Sequence, residues 1–266
     1  MLYDPGMPFG QPTRSLAPPG AAPGVLVTRP EPGAAETARR LRDLGWQPVL
    51  APALVLAPCP MSSTAAQALL LTSRAAARGL TPGPTLPAGL PVLTVGEATA
   101  AEARGRGFTD VTAAEGDAVA LASLATRRLD PARGPLLLAV GQGYGQDLAA
   151  LLRQGGFRVR RRIAYVARPA TTLPGPAIAA LGRPGDIAYA LFTSPRSAEC
   201  AMSLLRGAGL AGTAAGLVAC AISARVAVTL APLSWRAIRV AQRPDQDALL
   251  DLLGPAPARP ERGGTE

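Results

Sequence analysis

The segment "ALFTSPRSAE" (Ala190–Glu199) carries an apolar run, Ala190-Leu191-Phe192, that stops abruptly at Thr193-Ser194-Pro195. Serine is a strong helix N-cap and proline suits the first helical position, so the segment predicts a strand that turns a corner into a helix. Much earlier in the chain "ALLLTSRAAA" (Ala68–Ala77) makes the same corner, again with a Thr-Ser pair, Thr72-Ser73. A corner used twice raises the question of whether its surroundings are also used twice.

They are. "GVLVTRP" (Gly24–Pro30) reads as a short strand, and "EPGAAETARRLRDLGWQPV" after it as a helix and a second strand. The helix places Ala35, Ala38, Leu41 and Leu44 at helical spacing, with Gly45 as its stop. "GPLLLAVGQGYGQDLAALLRQGGFRVRRRIAYV" (Gly134–Val166) repeats that plan, and "LRDLGWQPV" superposes on "LRQGGFRVR" without a gap. "PVLTVGEATAAEARGRGFTDVTAAEGDAVALASLA" (Pro91–Ala125) and "GLVACAISARVAVTLAPLSWRAIRVAQRPDQDALLDLL" (Gly216–Leu253) form a second matched pair. Each gives strand, helix, a small-aromatic stop (Gly107-Phe108; Ser234-Trp235), a short strand, and an acidic N-cap, Asp117 or Asp245.

Alternating strands and helices predict an α/β fold with parallel sheets covered on both faces. "PVLAPALVLAPC" (Pro48–Cys59) and "RRIAYVARPA" (Arg161–Ala170) are extended and punctuated by proline, and are expected to pair with each other as a two-stranded linker. Two arrangements suit the repeat, two consecutive copies or one inserted in the other, and that pairing favours a second domain, 53–168, inserted in a first made of 24–52 and 169–254, with Pro/Gly-rich tails at 1–23 and 255–266.

Composition limits the chemistry. The 266 residues suit two domains of ~100–150 residues each, or one large one. Hydrophobic residues make up 48% and aromatics only 4%, so the core must be built from Leu, Val and Ala. The chain has no His, no Lys and no Asn, which excludes a Ser-His-Asp triad, a zinc-histidine site and any histidine acid–base step. A formal charge of +9 suits an anionic partner, or reflects solubility and coding bias. Cys59, Cys200 and Cys220 form no CxxC pair and read as reduced thiols of a cytoplasmic protein. No apolar run approaches the ~18 residues of a membrane span, and no metal-ligand motif is present.

Ligands of open parallel sheets sit beyond the carboxyl ends of the strands. Thr28-Arg29, both Thr-Ser corners and the turn Gly141-Gln142-Gly143-Tyr144-Gly145 are predicted at such ends. Ser73 and Ser194 serve there either as caps alone or as ligand contacts as well. The glycine turn lacks the spacing of G-x-G-x-x-G and the later acidic partner, so it is a poor dinucleotide site. Tyr165 lies in a linker run, where its phenol either packs in the ladder or donates a hydrogen bond to a departing oxygen. Arg160, Arg161 and Arg162 read as solvated, and Glu97 and Asp147 as first-turn residues of helices.

The ordered set "VLVTRPEPGAAETARRLRDLGWQPV", "LLTSRAA", "VGEATAAEARGRGF", "AEGDAVALASL", "DLAALLRQGGFRVRRRIAYVA", "LFTSPRSAE" and "RPDQDALLDLL" resembles the uroporphyrinogen-III synthase family over roughly residues 24 to 254. The resemblance implies two flavodoxin-like domains joined by a two-stranded ladder, the second inserted in the first. It implies a cofactor-independent, metal-free, monomeric lyase that closes hydroxymethylbilane to uroporphyrinogen III in haem biosynthesis, with loss of water and inversion of the last ring. Carried over by position, the linker tyrosine falls on Tyr165, the G-x-A-T hydroxyl on Thr99, and the F-T-S corner on Thr193-Ser194. Two positions depart from the family pattern. The late motif with adjacent threonines reads "AISARVA", leaving Ser223 as the hydroxyl beside Arg225, and the Arg-Gly after the repeated strand reads "AVGQG", with Val140 in place of a cation. A second class, a non-catalytic tetrapyrrole- or anion-binding protein, rests on those departures. A third, nucleic-acid binding, rests on charge alone and is opposed by few aromatics and scattered arginines.

Overall fold

The computed structural model describes residues 23–61 and 65–256, so most of both expected tails lies outside the described residues. These residues form two compact units, one made of 23–29, 34–53 and 171–256, the other of 30–33, 54–61 and 65–170.

The first unit contains β1 (Gly24–Val27), α1 (Gly33–Asp43), β2 (Gln47–Leu50), α6 (Gly175–Leu181), β9 (Ile187–Phe192), α7 (Pro195–Gly207), β10 (Val218–Ala221), α8 (Ala224–Leu230), β11 (Ala237–Val240) and α9 (Gln246–Asp251). Its five strands lie in the order β11-β10-β9-β1-β2, all parallel. β1 and β10 are buried at every residue, as strands covered on both faces should be, whereas the edge strand β11 is exposed throughout.

The second unit contains β3 (Leu54–Pro58), β4 (Ala68–Leu71), α2 (Arg74–Arg78), β5 (Val92–Thr94), α3 (Glu97–Gly105), β6 (Val111–Ala113), α4 (Ala118–Arg128), β7 (Leu136–Gly141), α5 (Gln146–Gln154) and β8 (Val159–Pro169). The order is β3-β8-β7-β4-β5-β6, parallel except for β3 against β8. The period-2 pleat divides β7 cleanly. Leu136, Leu138 and Val140 pack with Leu121, Leu148 and Phe157 on one face, while Leu137 and Ala139 pack with Leu71, Ala76 and Phe108 on the other. The linker runs pair with each other as expected, with Leu54 opposite Pro169 and Pro58 opposite Tyr165.

The repeated helix stop is a repeated piece of backbone. Gly45 has φ +84° and Gly156 φ +86°. In each case the following aromatic turns inward: Trp46 N donates to Leu41 O at 2.8 Å and Phe157 N to Leu152 O at 3.1 Å. These are the 6→1 bonds of a Schellman stop, and the left-handed residue at its centre explains the glycine. Trp46 and Phe157 are both buried beneath the helix that the glycine ends. Gly107-Phe108 uses the same geometry, with φ +100°. Trp235 ends α8 differently, donating from its indole nitrogen to Leu230 O at 2.9 Å. Asp117 and Asp245 cap α4 and α9 as predicted, accepting from Ala120 N at 2.7 Å and Ala248 N at 2.8 Å.

One expected face is corrected. The buried stripe of α1 is Ala34, Thr37, Ala38 and Leu41, while Ala35 is exposed and Leu44 is 52% exposed. A strict three-residue spacing slips about 60° per step on a helix of 3.6 residues per turn, so 35, 38, 41 and 44 cannot share one face.

Candidate functional site

In the second unit the polar features gather where β4 and β7 end and β8 runs on past them. β8 pairs with β7 only as far as a register shift between Val140 and Gly141, after which Gly141 faces Tyr165. The tyrosine ring lies directly over that glycine. A Cβ built on Gly141 would stand 2.6 Å from Tyr165 Cζ, 2.7 Å from its phenolic oxygen and 2.8 Å from Cε2. Tyr165 is half-buried against the core face that contains Ala139 and Ala164. Its backbone oxygen accepts from Gln142 N at 3.0 Å, which ties the same strand to the start of the glycine turn. Ser73 accepts from Ala76 N at 3.2 Å, capping α2, and its own hydroxyl donates toward the Tyr165 oxygen at a long 3.5 Å.

The turn Gly141–Gly145 is closed by Tyr144 N donating to Gly141 O at 3.1 Å, with Gly143 at φ +86° and Gly145 at φ +80°. Val140, the position where the resemblance implies a cation, is fully buried beneath this turn: a Cβ on Gly145 would meet its Cγ1 at 2.6 Å. The valine is part of the core, so no charge stands there. Thr99 is 5% exposed at the third helical position of α3, a place taken by Ala76 in α2 and by Val226 in α8, both wholly or almost wholly buried.

The first unit presents a matching set of corners. Ser194 caps α7, accepting from Ser197 N at 3.1 Å, with φ −158° and ψ 153°. Ser73 has φ −158° and ψ 151°, so the repeated Thr-Ser corner is repeated in backbone as well as sequence. Ser223 takes the same extended conformation at the head of α8 but makes no cap bond with its side chain. Thr193 and Ser223 are both half-buried at adjacent strand ends of this unit. Thr28 does not join them. It is fully buried, its hydroxyl donates to Leu191 O at 2.7 Å, and its carbonyl accepts from Ser197 Oγ at 3.1 Å, which braces β1 against β9 and α7. Arg29 is half-buried and donates to Thr37 Oγ1 at 3.2 Å and Gln246 Oε1 at 3.1 Å, joining α1 to α9.

Four ionisations in this unit are displaced: burial raises the Cys200 thiol, the hydrogen bond to Asp245 raises Arg243, and Asp245 and Cys220 are shifted as well. Asp245 is held below the ordinary carboxylate range by the Ala248 amide it caps and by the neighbouring Arg243 side chain. Burial pushes the Cys220 thiol up to about 12, which keeps it neutral and unreactive.

Ser73 and Tyr165, both expected from the sequence, stand next to each other, whereas the sequence reading had Gly141 only as part of a turn and did not foresee the close approach of a ring from another strand. It also missed Thr37, Gln246 and Ser197, which hold Arg29 and Thr28. A glycine at the end of a buried strand, level with the tyrosine of the next strand, was the available signal for the first.

The fold and its polar strand ends define an α/β protein of two parallel-sheet units, with a phenol and two capping serine hydroxyls at the carboxyl ends of its strands. The chain belongs to the uroporphyrinogen-III synthase family, since the family model described as uroporphyrinogen-III synthase HemD matches residues 35–251. Among solved structures, the uroporphyrinogen-III synthetase of Helicobacter pylori is similar at 16% identity, with a TM-score of 0.53, covering 87% of this chain and 98% of that one. That likeness supports the α/β fold. The uroporphyrinogen III synthase of the extremely thermophilic bacterium Thermus thermophilus aligns at 19% identity, with a TM-score of 0.39, over 87% of this chain and 96% of its own. No curated protein matches the chain. Among the described residues, no helix is long and apolar enough to cross a membrane.

Proposed function

We propose that this chain is a cyclising hydro-lyase that converts hydroxymethylbilane to uroporphyrinogen III in haem biosynthesis. The family match over residues 35–251 carries the reading, and its span contains Ser73, Thr99, Tyr165, Thr193, Ser194 and Ser223. In this reading the two units are flavodoxin-like domains, the second inserted in the first, of a monomeric cytoplasmic enzyme that needs no cofactor or metal. The first unit's order β2-β1-β9-β10-β11 is the flavodoxin-like one, and the second unit's β8-β7-β4-β5-β6, with β3 added at its edge, is a circular permutation of it, which supports such a pair.

The Tyr165 phenol gives its proton to the departing hydroxyl, the C–O bond breaks with its electron pair going to the oxygen, and water leaves. The lone pair of the pyrrole nitrogen drives that departure and leaves an electrophilic azafulvene at the exocyclic carbon. The last ring then attacks through its substituted carbon, giving a spiro centre whose opening and reclosure inverts that ring. The proton lost from the ring when aromaticity returns balances the one Tyr165 gave.

The substrate carries eight carboxylates, and the charge pattern supports an anionic ligand. The first turns of α2, α7 and α8 hold Arg74, Arg196 and Arg225 and no acidic residue. The N-terminal end of a helix is already the positive pole of its dipole, so these arginines add to a positive potential that suits a polyanion.

Purified protein incubated with enzymatically generated hydroxymethylbilane, followed by separation of isomers I and III, tests the reading. Isomer III is expected. Isomer I alone, at the spontaneous rate, would overturn it in favour of a non-catalytic tetrapyrrole-binding protein, a reading that the buried Val140 favours.

The corners give a graded prediction. Ser194→Ala removes a cap and a neutral hydrogen bond but leaves the backbone amides, so KM should rise only about 2–10-fold, with stability lower by about 1 kcal/mol. Ser194→Leu puts a bulky side chain at the strand end and should be clearly worse in KM. Ser73 should follow the same order more weakly. Steady-state kinetics with both leucine variants unimpaired would place the corners away from the substrate.

A further inference from the structure

We propose that Tyr144 is a stacking platform that holds one pyrrole ring of the substrate beside Tyr165, an inference that rests on the synthase reading above.

The first observation is exposure. Tyr144 is 68% exposed, whereas every other aromatic among the described residues is buried or half-buried. In a chain with so few aromatics, these rings are packed: Trp46 meets Tyr189 edge-on at 5.3 Å, and Phe192 meets Trp235 at 5.4 Å. Tyr144 has no such ring partner among the described residues.

The second observation is that its backbone is pinned. Tyr144 N donates to Gly141 O at 3.1 Å, and Tyr144 O accepts from Arg161 Nη1 at 3.0 Å. Left-handed glycines flank it at 143 and 145, and the second is seated on the Val140 side chain. A ring on a fixed turn loses little backbone freedom when a flat ligand lies on it, which is the condition for stacking to contribute to affinity.

The third observation is position. The turn starts at Gly141, the residue that the Tyr165 ring covers, so Tyr144 and the phenol stand at the same end of β7. Arg161 places a guanidinium on the same turn. A planar, electron-rich heteroaromatic ring bearing carboxylates matches both: the ring lies on Tyr144 and a carboxylate meets the cation. This also explains why the turn resembles a dinucleotide loop without its spacing, since it presents a side chain and not a row of phosphate-binding amides.

The test uses Tyr144→Ala, Tyr144→Phe and Tyr144→Trp with two readouts. One is turnover of hydroxymethylbilane. The other is the Kd for uroporphyrin III, a planar oxidised tetrapyrrole with eight carboxylates, followed by its fluorescence. Tyr144→Ala should raise KM and Kd about tenfold while kcat stays within about twofold. Tyr144→Phe and Tyr144→Trp should bind within about twofold of the parent. An unchanged KM and Kd in Tyr144→Ala would overturn the platform, and so would a loss in Tyr144→Phe as large as in Tyr144→Ala, because the hydroxyl and not the ring would then be responsible. If the parent protein makes no isomer III, the synthase reading fails separately, and the uroporphyrin Kd alone decides the platform: weakened in Tyr144→Ala supports it, unchanged overturns it.

Discussion

Gly141→Ala should lower kcat by about the same factor as deleting the Tyr165 hydroxyl, while leaving the protein folded. The added methyl group would lie 2.6–2.8 Å from two ring carbons and the phenolic oxygen of Tyr165, so the ring must swing away. The displaced atoms belong to the outer end of a side chain, and the glycine is not at a left-handed φ, so the backbone need not move. Overpacking of this kind costs about 1–3 kcal/mol, which a Tm measurement would register as a moderate drop. In the proposed mechanism the kinetic effect is larger, because the phenol would lose its place at the departing hydroxyl. In the double variant Gly141→Ala/Tyr165→Phe the losses in kcat should not add, since both remove one proton donor. Fully additive losses would show that Gly141 acts on turnover by some route other than Tyr165.

Tyr165→Phe isolates the hydroxyl. Proton donation to a leaving group is worth about 10²–10⁴-fold, so kcat should fall within that range. KM should change little, because the ring and its packing remain. Ser73 should behave as a positioning residue here: its hydroxyl reaches the phenol only at 3.5 Å, so Ser73→Ala should cost far less than Tyr165→Phe. Parent-like turnover by Tyr165→Phe would return the tyrosine to a packing role in the β3–β8 ladder.

Much of the architecture was legible because it is written twice in local signals. The Thr-Ser corners, the aspartate caps and the glycine-aromatic stops are each satisfied within a few residues, so a reader of the sequence needs no tertiary knowledge to find them. The pairing of β3 with β8 was legible from two extended, proline-punctuated runs. The face of α1 was misjudged because a three-residue spacing drifts around the helix, and Leu44 is at its exposed end. The site was harder. Ser73 and Tyr165 announce themselves by type and place. The burial of Thr28 depends on Leu191 and Ser197, both far along the chain, and nothing near Thr28 says that its hydroxyl is already engaged. Gly141 is a matter of distance between two strands. Val140 read as a lost cation, and only its packing under Gly145 shows why a hydrocarbon suits the position.

The strand order of the first unit has a consequence for synthesis. β1 lies between β2, its near neighbour in sequence, and β9, which begins only at Ile187. A ribosome therefore releases β1 with one edge open and completes residues 54–170 of the other unit before the covering strand exists. The interrupted unit is the last to close, although it supplies the first strand among the described residues. The nascent chain must carry a wholly apolar strand with one open edge from Val27 onward, and that edge is a hazard that ends only when Ile187–Phe192 emerges.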